Sequence, residues 1–403
     1  MPDTQICPDS TYMESAQGLF LWDNGITPSG QKKSLLFKNP QKTLILDSLA
    51  DGSQLRDFFE NLEEGLNSGL YAAGWLSYET GYLLIPKLRA ILQKKSPPMP
   101  LGWFGLYEEP LEISLSFAPV IKETPIELEF DTSKAEFINA IRKIHGYIKA
   151  GDTYQINYTI RAAFDWNGLG FDLYRRLKDR QSVDYSAFIR PFPGLEILSF
   201  SPELFFAKKG SLIWSRPMKG TAPRGKDQED DHARAKALFN DEKNRAENVM
   251  IVDLLRNDLG KICQTGSVKV PELFRIERYE TLFQMTSKVE GRIKESASLY
   301  HIFKSLFPCG SITGAPKIRS MEIIAELESN PRGVYTGTIG FITPQRDAIF
   351  NVAIRTVTLK ERRAELGIGA GITIGSDPQC EYQETLLKAK FVSSKPIPGT
   401  DYL

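Results

Sequence analysis

The sequence predicts a mixed α+β sandwich and not a parallel dinucleotide-binding sheet. Two observations carry that expectation. Short apolar runs bounded by turn residues are joined by hairpins as often as by crossover helices. The 403 residues also exceed what one compact core usually fills, so one large body or two joined subdomains are expected. No internal repeat or low-complexity tract interrupts the pattern.

Composition removes several classes of function. Apolar residues at 41% and charged residues at 25% suit a soluble globular protein. Fifty basic residues balance fifty acidic ones, so no global field recruits nucleic acid or an anionic membrane, and a bound anion must be held locally. The start, "MPDTQICPDS", lacks the basic-then-apolar layout of a signal peptide. No run approaches the roughly 18 apolar residues that a membrane span requires. Cys7, Cys263, Cys309 and Cys380 form no Cys-x-x-Cys pair, which fits a reducing cytoplasm and argues against structural zinc. Histidine is confined to His145, His232 and His301, so chemistry is expected to rest on carboxylates and amines.

The elements follow in order. Residues 1–125 alternate short strands ("SLLF", "TLILDSL", "YAAGWLSY", "LGWFGLY", "LEISLSF") with turns, plus one helix in "GSQLRDFFENLEEGLNSG". Three prolines make "KKSPPMP" a surface loop. "VIKETPIELEFDTSK" reads as the junction to a second part, 130–395. "DTSKAEFINAIRKIHGYIKAGD" carries a cap signal, then Phe137, Ile141, Ile144 and Ile148 at helical spacing, then a glycine stop. A strand over 153–164, a helix near 171–180 and strands over 185–190 and 195–200 come next. "LEILSFSPELFFAKKGSLIWSRPMKG" reads as a hairpin about the turn 208–210. Antiparallel pairing about that turn brings Glu203 and Lys219 together at its open end, the lysine framed by the stiff, turned "SRPMKGTAPRG". The pair admits two readings: a cross-strand ion pair of ~0.2–1 kcal/mol, or an acid facing a nucleophile.

Further along, "DEKNRAENVMIVDLLRNDLGKIC" predicts an amphipathic helix with Val249, Ile251, Leu254 and Leu255 apolar and Glu247 beside that stripe, where a carboxylate is costly unless paired or metal-bound. "CEYQETLLKAK" sets Glu381, Glu384 and Lys388 on one helix face. These carboxylates suit either a solvated face or a hard cation with oxygen ligands, Mg²⁺ being the natural one. "FPCGSITGAPKIRSMEII" places small residues before a helix, where backbone N–H groups can line an anion site. Its spacing is not that of a phosphate loop, and a carboxylate is the easier ligand. "AIRTVTL" places Arg355 mid-strand among apolar residues, costly unless its fork grips an anion. "GIGAGITIGS", read as following a strand, offers close approach to backbone or mere turns.

These stretches, with "GDTYQINYT", "YTGTIGF" and "AAGWLSYETGY", resemble the chorismate-binding enzymes, most specifically over about 130–395. The resemblance implies a large α/β sandwich of two mainly antiparallel sheets flanked by helices. Residues 130–395 would be the chorismate-binding catalytic domain, with the N-terminal domain, 1–125, packed into the same body. Water-adding members carry lysine where this chain has Gln155, and anthranilate synthases carry an inert residue where it has Lys219. Gln155 with Lys219 is similar to the members that make aminodeoxychorismate for the para-aminobenzoate branch toward folate.

The resemblance further implies Lys219 as nucleophile, favoured in neutral form by a dry pocket, and Glu203 as general acid. It implies Mg²⁺ on Glu247, Glu381 and Glu384. Chorismate would be held by Gln155, Thr221, Ser311, Thr313, Gly314, Tyr335, Arg355, Gly369, Gly371 and Lys388. Ammonia is expected from a separate glutamine amidotransferase, since no Cys-His-Glu triad region is present, and the expected location is cytoplasmic. Two departures from the common family pattern carry weight: Gln284 stands where many relatives have histidine, and Asn244 where anthranilate synthases have a second acid. Cys309 replaces a small glycine. The alternatives are anthranilate synthase component I, which Lys219 speaks against, an isochorismate synthase, which Gln155 speaks against, and a non-catalytic chorismate-binding subunit, which would need neither acid nor nucleophile.

Overall fold

The computed structural model describes residues 10–95, 97–115, 125–181, 183–279, 282–393, 395 and 397. The first nine residues, with Cys7, and residues 116–124, which hold the end of the "LEISLSF" run and the start of the junction, lie outside them. The chain forms two ten-stranded antiparallel sheets with helices packed around them. The first sheet runs Gly314–Ala315, Gln155–Asp165, Arg363–Ile372, Thr356–Lys360, Leu195–Ser201, Tyr185–Phe192, Leu19–Ile26, Lys32–Phe37, Leu111–Ile113, with Glu129–Phe130 beside Gln155–Asp165. The second runs Met218–Pro223, Leu282–Arg292, Leu212–Arg216, Leu204–Lys209, Ala348–Val352, Thr338–Ile342, Tyr71–Leu76, Gly102–Tyr107, Lys42–Leu46, with Lys269–Arg278 beside Leu282–Arg292. Strands from the first 115 residues thus extend both sheets at one end.

Large aromatic side chains fill the space between the sheets. Phe20, Trp22 and Phe37 from the first sheet and Trp75, Trp103 and Phe341 from the second are buried in one cluster. The Phe341 ring lies 5.7 Å from Trp22 and 5.5 Å from Phe37, so the two layers interdigitate as sandwich packing requires.

Local signals place the helices. Asp51 and Gln54 close a capping box on Gly52–Asn67, and Ser133 and Glu136 close another on Lys134–Lys149. Asp241 caps Glu242–Ile262, and Asp377 with Pro378 starts Pro378–Leu387. No helix among the described residues is long and apolar enough to cross a membrane.

Four expectations need correction. The hairpin turns a residue later than predicted, with Lys209 opposite Leu212. Arg355 is not mid-strand: the chain leaves the second sheet at Val352 and enters the first at Thr356, so Arg355 occupies the step between them at φ +48. The glycine run does not follow a strand but forms its second half, Gly367 to Gly371 within Arg363–Ile372. On Glu242–Ile262 the buried stripe is Asn248, Ile251, Val252, Leu255 and Leu259, while Val249 is exposed.

A buried ionic knot joins these parts. Arg332 donates Nε and Nη2 to Glu328 (2.9 and 2.6 Å), Nη2 to the Asn157 carbonyl (2.7 Å) and Nη1 to the Ile312 carbonyl (2.8 Å). Glu79, from the N-terminal part, accepts the backbone N–H groups of Arg332 and Gly333 at 2.6 and 3.0 Å. A lysine offers one point charge where this planar fork makes several directed bonds. Arg332→Lys should therefore cost about 3 kcal/mol or more, read from the urea unfolding midpoint, because it leaves Glu328 and two carbonyls under-satisfied in the interior. A loss below about 1 kcal/mol would show that charge alone suffices.

Candidate active site

A cavity of about 1250 Å³ opens where the glycine strand Arg363–Ile372 of the first sheet faces the lysine strand Met218–Pro223 of the second. Helices Glu242–Ile262 and Pro378–Leu387 contribute further walls. Of the residues expected from sequence, Glu203, Lys219, Thr221, Glu247, Ser311, Tyr335, Arg355, Gly369, Gly371, Glu381, Glu384 and Lys388 line it. Thr313 and Gly314 do not. The Thr313 hydroxyl is spent on the Cys309 and Gly310 carbonyls (3.0 and 3.2 Å), and Gly314 pairs with Ile156 in the first sheet. Gln155 stands in the wall behind Gly371.

Lys219 is set by a β-bulge and not by a turned loop. Met218 faces Thr286 and Thr221 faces Gln284, so Lys219 and Gly220 together oppose the single residue Met285. A bulge breaks the alternation of a strand and re-aims a side chain. Gly220 absorbs the distortion at φ +82, which a side chain would resist. The result carries Lys219 across to the first sheet. A methyl group placed on Gly371 would stand 2.6 Å from Gln155 Nε2 and 3.3 Å from Lys219 Nζ. Both amide atoms of Gln155 are buried without a hydrogen-bond partner among the described residues, so a hydrogen-bonding amide is held next to the lysine. Lys219 itself is half-buried in an open cleft, not enclosed in the dry pocket expected.

Glu203 sits where the chain steps from the first sheet to the second, 4% exposed. Among the described residues its Oε1 has no hydrogen-bond partner, and no ion pair joins it to Lys219. Burial pushes its carboxyl up to about 7, against the lowering influence of Ser311 and of the Lys219 charge. A carboxyl of that kind can hand over a proton near neutrality.

The remaining acids gather at the other side. Burial raises Glu381, with repulsion from Glu384 adding to it. Glu384 is lowered chiefly by Lys388, which pairs with it at 2.9 Å and also donates to the Gly369 carbonyl at 2.9 Å. Glu247 is half-buried on the neighbouring helix. Among the described residues no three His, Cys, Asp or Glu side chains close tightly enough to wrap a metal; the three glutamates line one cavity as an open, oxygen-only set. Opposite them, Arg355 is held by Gln181, and burial lowers its pKa. Gly367, Gly369 and Gly371, two residues apart, give one face of the strand a bare backbone floor. A side chain at 367 would collide with Tyr335.

Sequence reasoning missed Lys243, whose charge eases both Glu381 and Glu384. Its position one turn before Glu247 in "KNRAE" was the available signal. It also missed Arg332, although the i, i+4 spacing of Glu328 and Arg332 was visible.

The Glu203 carboxyl titrates near 7 in the folded chain against the usual 4.5, so the native state holds the proton more tightly. The stability this confers is complete below about pH 4.5 and is lost as pH rises through 7. Glu203→Gln escapes that loss and should gain on the wild type by about 2–3 kcal/mol between pH 5 and 8 in denaturant titrations. A pH-independent difference would mean that Glu203 behaves as an ordinary acid.

The pattern of the chorismate binding enzyme family matches residues 117–394. Aminodeoxychorismate synthase component 1 of Bacillus subtilis is 42% identical over 253 residues, 63% of this chain and 54% of that protein. An anthranilate synthase component 1 of Haloarcula marismortui is 39% identical over 277 residues, 68% of this chain and 56% of that protein. The matched segment thus spans about half the length of each relative. The crystal structure of anthranilate synthase component I from Streptococcus pneumoniae TIGR4 superposes with a TM-score of 0.77 at 28% identity, covering 89% of this chain and 91% of that one. The expected sandwich of two antiparallel sheets is therefore the observed fold, and the chain belongs to the chorismate binding enzymes.

Proposed function

We propose that this chain is the chorismate-converting component of an aminodeoxychorismate synthase, making 4-amino-4-deoxychorismate from chorismate and ammonia. The observation that carries this reading is the bulge that brings Lys219 to Gly371 and Gln155 on the cavity lined also by the buried acid Glu203. An amine and a protonated carboxyl in one cavity are what a two-step displacement needs. The Lys219 amine attacks ring carbon C2, the double bonds shift, and the C4 hydroxyl leaves as water with the Glu203 proton. Ammonia then attacks C4, the double bonds return, and the lysine amine is expelled. Glu203, now a carboxylate, takes the proton lost by the incoming nitrogen. The sum is chorismate plus ammonia giving aminodeoxychorismate plus water.

The other residues hold the substrate. Arg355 and Tyr335 would receive the enolpyruvyl carboxylate above the Gly369 and Gly371 backbone, with Ser311 and Thr221 bounding the ring. Gln155 would offer its unpartnered amide to the incoming ammonia. The open carboxylate set of Glu247, Glu381 and Glu384 fits Mg²⁺, a hard cation that keeps several waters; when bound it would neutralise the ring carboxylate. Lys388 adds positive charge beside it. Ammonia would come from a separate glutamine amidotransferase in the cytoplasm. Anthranilate synthase is the second reading, favoured by the comparable identity of the Haloarcula relative.

Incubation with chorismate, Mg²⁺ and ammonium salt separates the two. The expected product is aminodeoxychorismate, which a lyase converts to para-aminobenzoate; fluorescent anthranilate as main product would overturn the assignment. With ammonia withheld, rapid quenching should trap a chorismate-minus-water adduct on Lys219 by intact mass. Lys219→Ala should abolish that adduct, and Glu203→Ala should slow its formation by roughly 10²-fold.

A further inference from the structure

We propose that Gln284 is a positioning residue for Lys219: its side-chain amide clamps the bulge that aims the lysine. The inference rests on the reading of Lys219 as the nucleophile. Gln284 lies directly across the ladder from Thr221. Its Nε2 donates to the Gly220 carbonyl at 2.8 Å, and its Oε1 accepts from the Thr221 hydroxyl at 3.0 Å. One amide therefore grips both residues that follow Lys219. Its orientation is fixed by chemistry, because the reversed amide would set its oxygen against the Gly220 carbonyl.

The bulge creates the need for this grip. An extra residue disrupts the local ladder and leaves a backbone group without a strand partner. The Gln284 amide supplies that partner from a side chain. On the opposite side Gly220 abuts Asn244, since a Cβ at 220 would stand 2.9 Å from the Asn244 amide carbon. Asn244 is fixed in the first turn of Glu242–Ile262, its backbone N–H bonded to Asp241 at 2.7 Å. Gly220 is wedged between a clamp from its own sheet and the start of a helix, and two of the positions that depart from the common family pattern hold one bend of backbone. Released from Gln284, the bulge can slide toward regular pairing, and Lys219 would turn away from Gly371 and Gln155.

The test uses the full chain with chorismate and Mg²⁺, following formation of the Lys219 adduct by rapid-quench intact mass. Gln284→Met removes both hydrogen bonds at similar volume. Gln284→Glu keeps the acceptor toward Thr221 but sets an oxygen against the Gly220 carbonyl, and it carries the test if Gln284→Met fails to fold. Each should slow adduct formation about tenfold or more while KM for chorismate stays within about twofold. Adding Gln284→Met to Lys219→Ala should leave the residual ammonia-dependent rate unchanged, since the clamp then has nothing to aim. Equal losses in both backgrounds, or an unimpaired adduct rate in the Gln284 variants, would overturn the clamp alone. Failure of the wild type to form any adduct would overturn the nucleophile reading and the clamp with it.

Discussion

The Arg332 guanidinium is the interaction on which the cavity's back wall depends. It is buried at 3% exposure, and a charge so placed is tolerated only when its donors are directed at good acceptors. Its acceptors belong to separate parts of the chain: Glu328 at the end of the preceding helix, Asn157 in the first sheet and Ile312 in the small-residue turn. Glu328 passes the constraint on by accepting the backbone N–H and hydroxyl of Thr159, both at 2.9 Å. Arg161, beside it, lies over the Tyr335 ring at 5.3 Å. Asn157, Ile312 and Tyr335 all line the cavity. Such a knot adds little net stability compared with an apolar core of the same volume; what it supplies is a single arrangement of the wall.

That wall determines what the opposite side must do. The glycine strand presents backbone, so the side chains that face this floor come from other elements. Lys219 makes the crossing because a bulge frees it from the alternation of its strand. Glu203 needs no such device, because desolvation alone keeps its proton on near neutrality. The acid and the amine are thus prepared by different physics, burial for one and backbone geometry for the other.

What could be read in the sequence follows the range of each interaction. Capping at Asp51, Ser133 and Asp241 is decided within four residues, and the helices they start lie where the sequence places them. The strand Gln155–Asp165 and the pair Tyr185–Phe192 and Leu195–Ser201 were legible from apolar runs and turns. The bulge at Lys219 was not, because a bulge exists only relative to a partner strand, here "LFQMTS", whose Gln284 pairs with Thr221 across 63 residues of chain. The Glu79–Arg332 contact was not, because it joins the N-terminal part to the far end of the chain. Motif resemblance identified the small-residue turn, yet it could not say that Ser311 faces the cavity while Thr313 turns inward to bond its own loop.

Arg355 defeated sequence reasoning for a reason that also explains where the site lies. Apolar neighbours on both sides imitate a continuous strand, but the chain changes sheets there. Glu203 occupies another such step, between Leu195–Ser201 of the first sheet and Leu204–Lys209 of the second. The two steps run side by side: Val352 N–H donates to the Glu203 carbonyl and Phe200 N–H to the Arg355 carbonyl, each at 3.0 Å. At a corner where strands switch sheets, side chains no longer alternate between a core face and a solvent face. A charged residue can therefore be buried by the sheets and still face a cavity between them. Neighbouring corners thus supply a buried carboxyl and a guanidinium cation to one cavity, at the place where the two layers of the sandwich part.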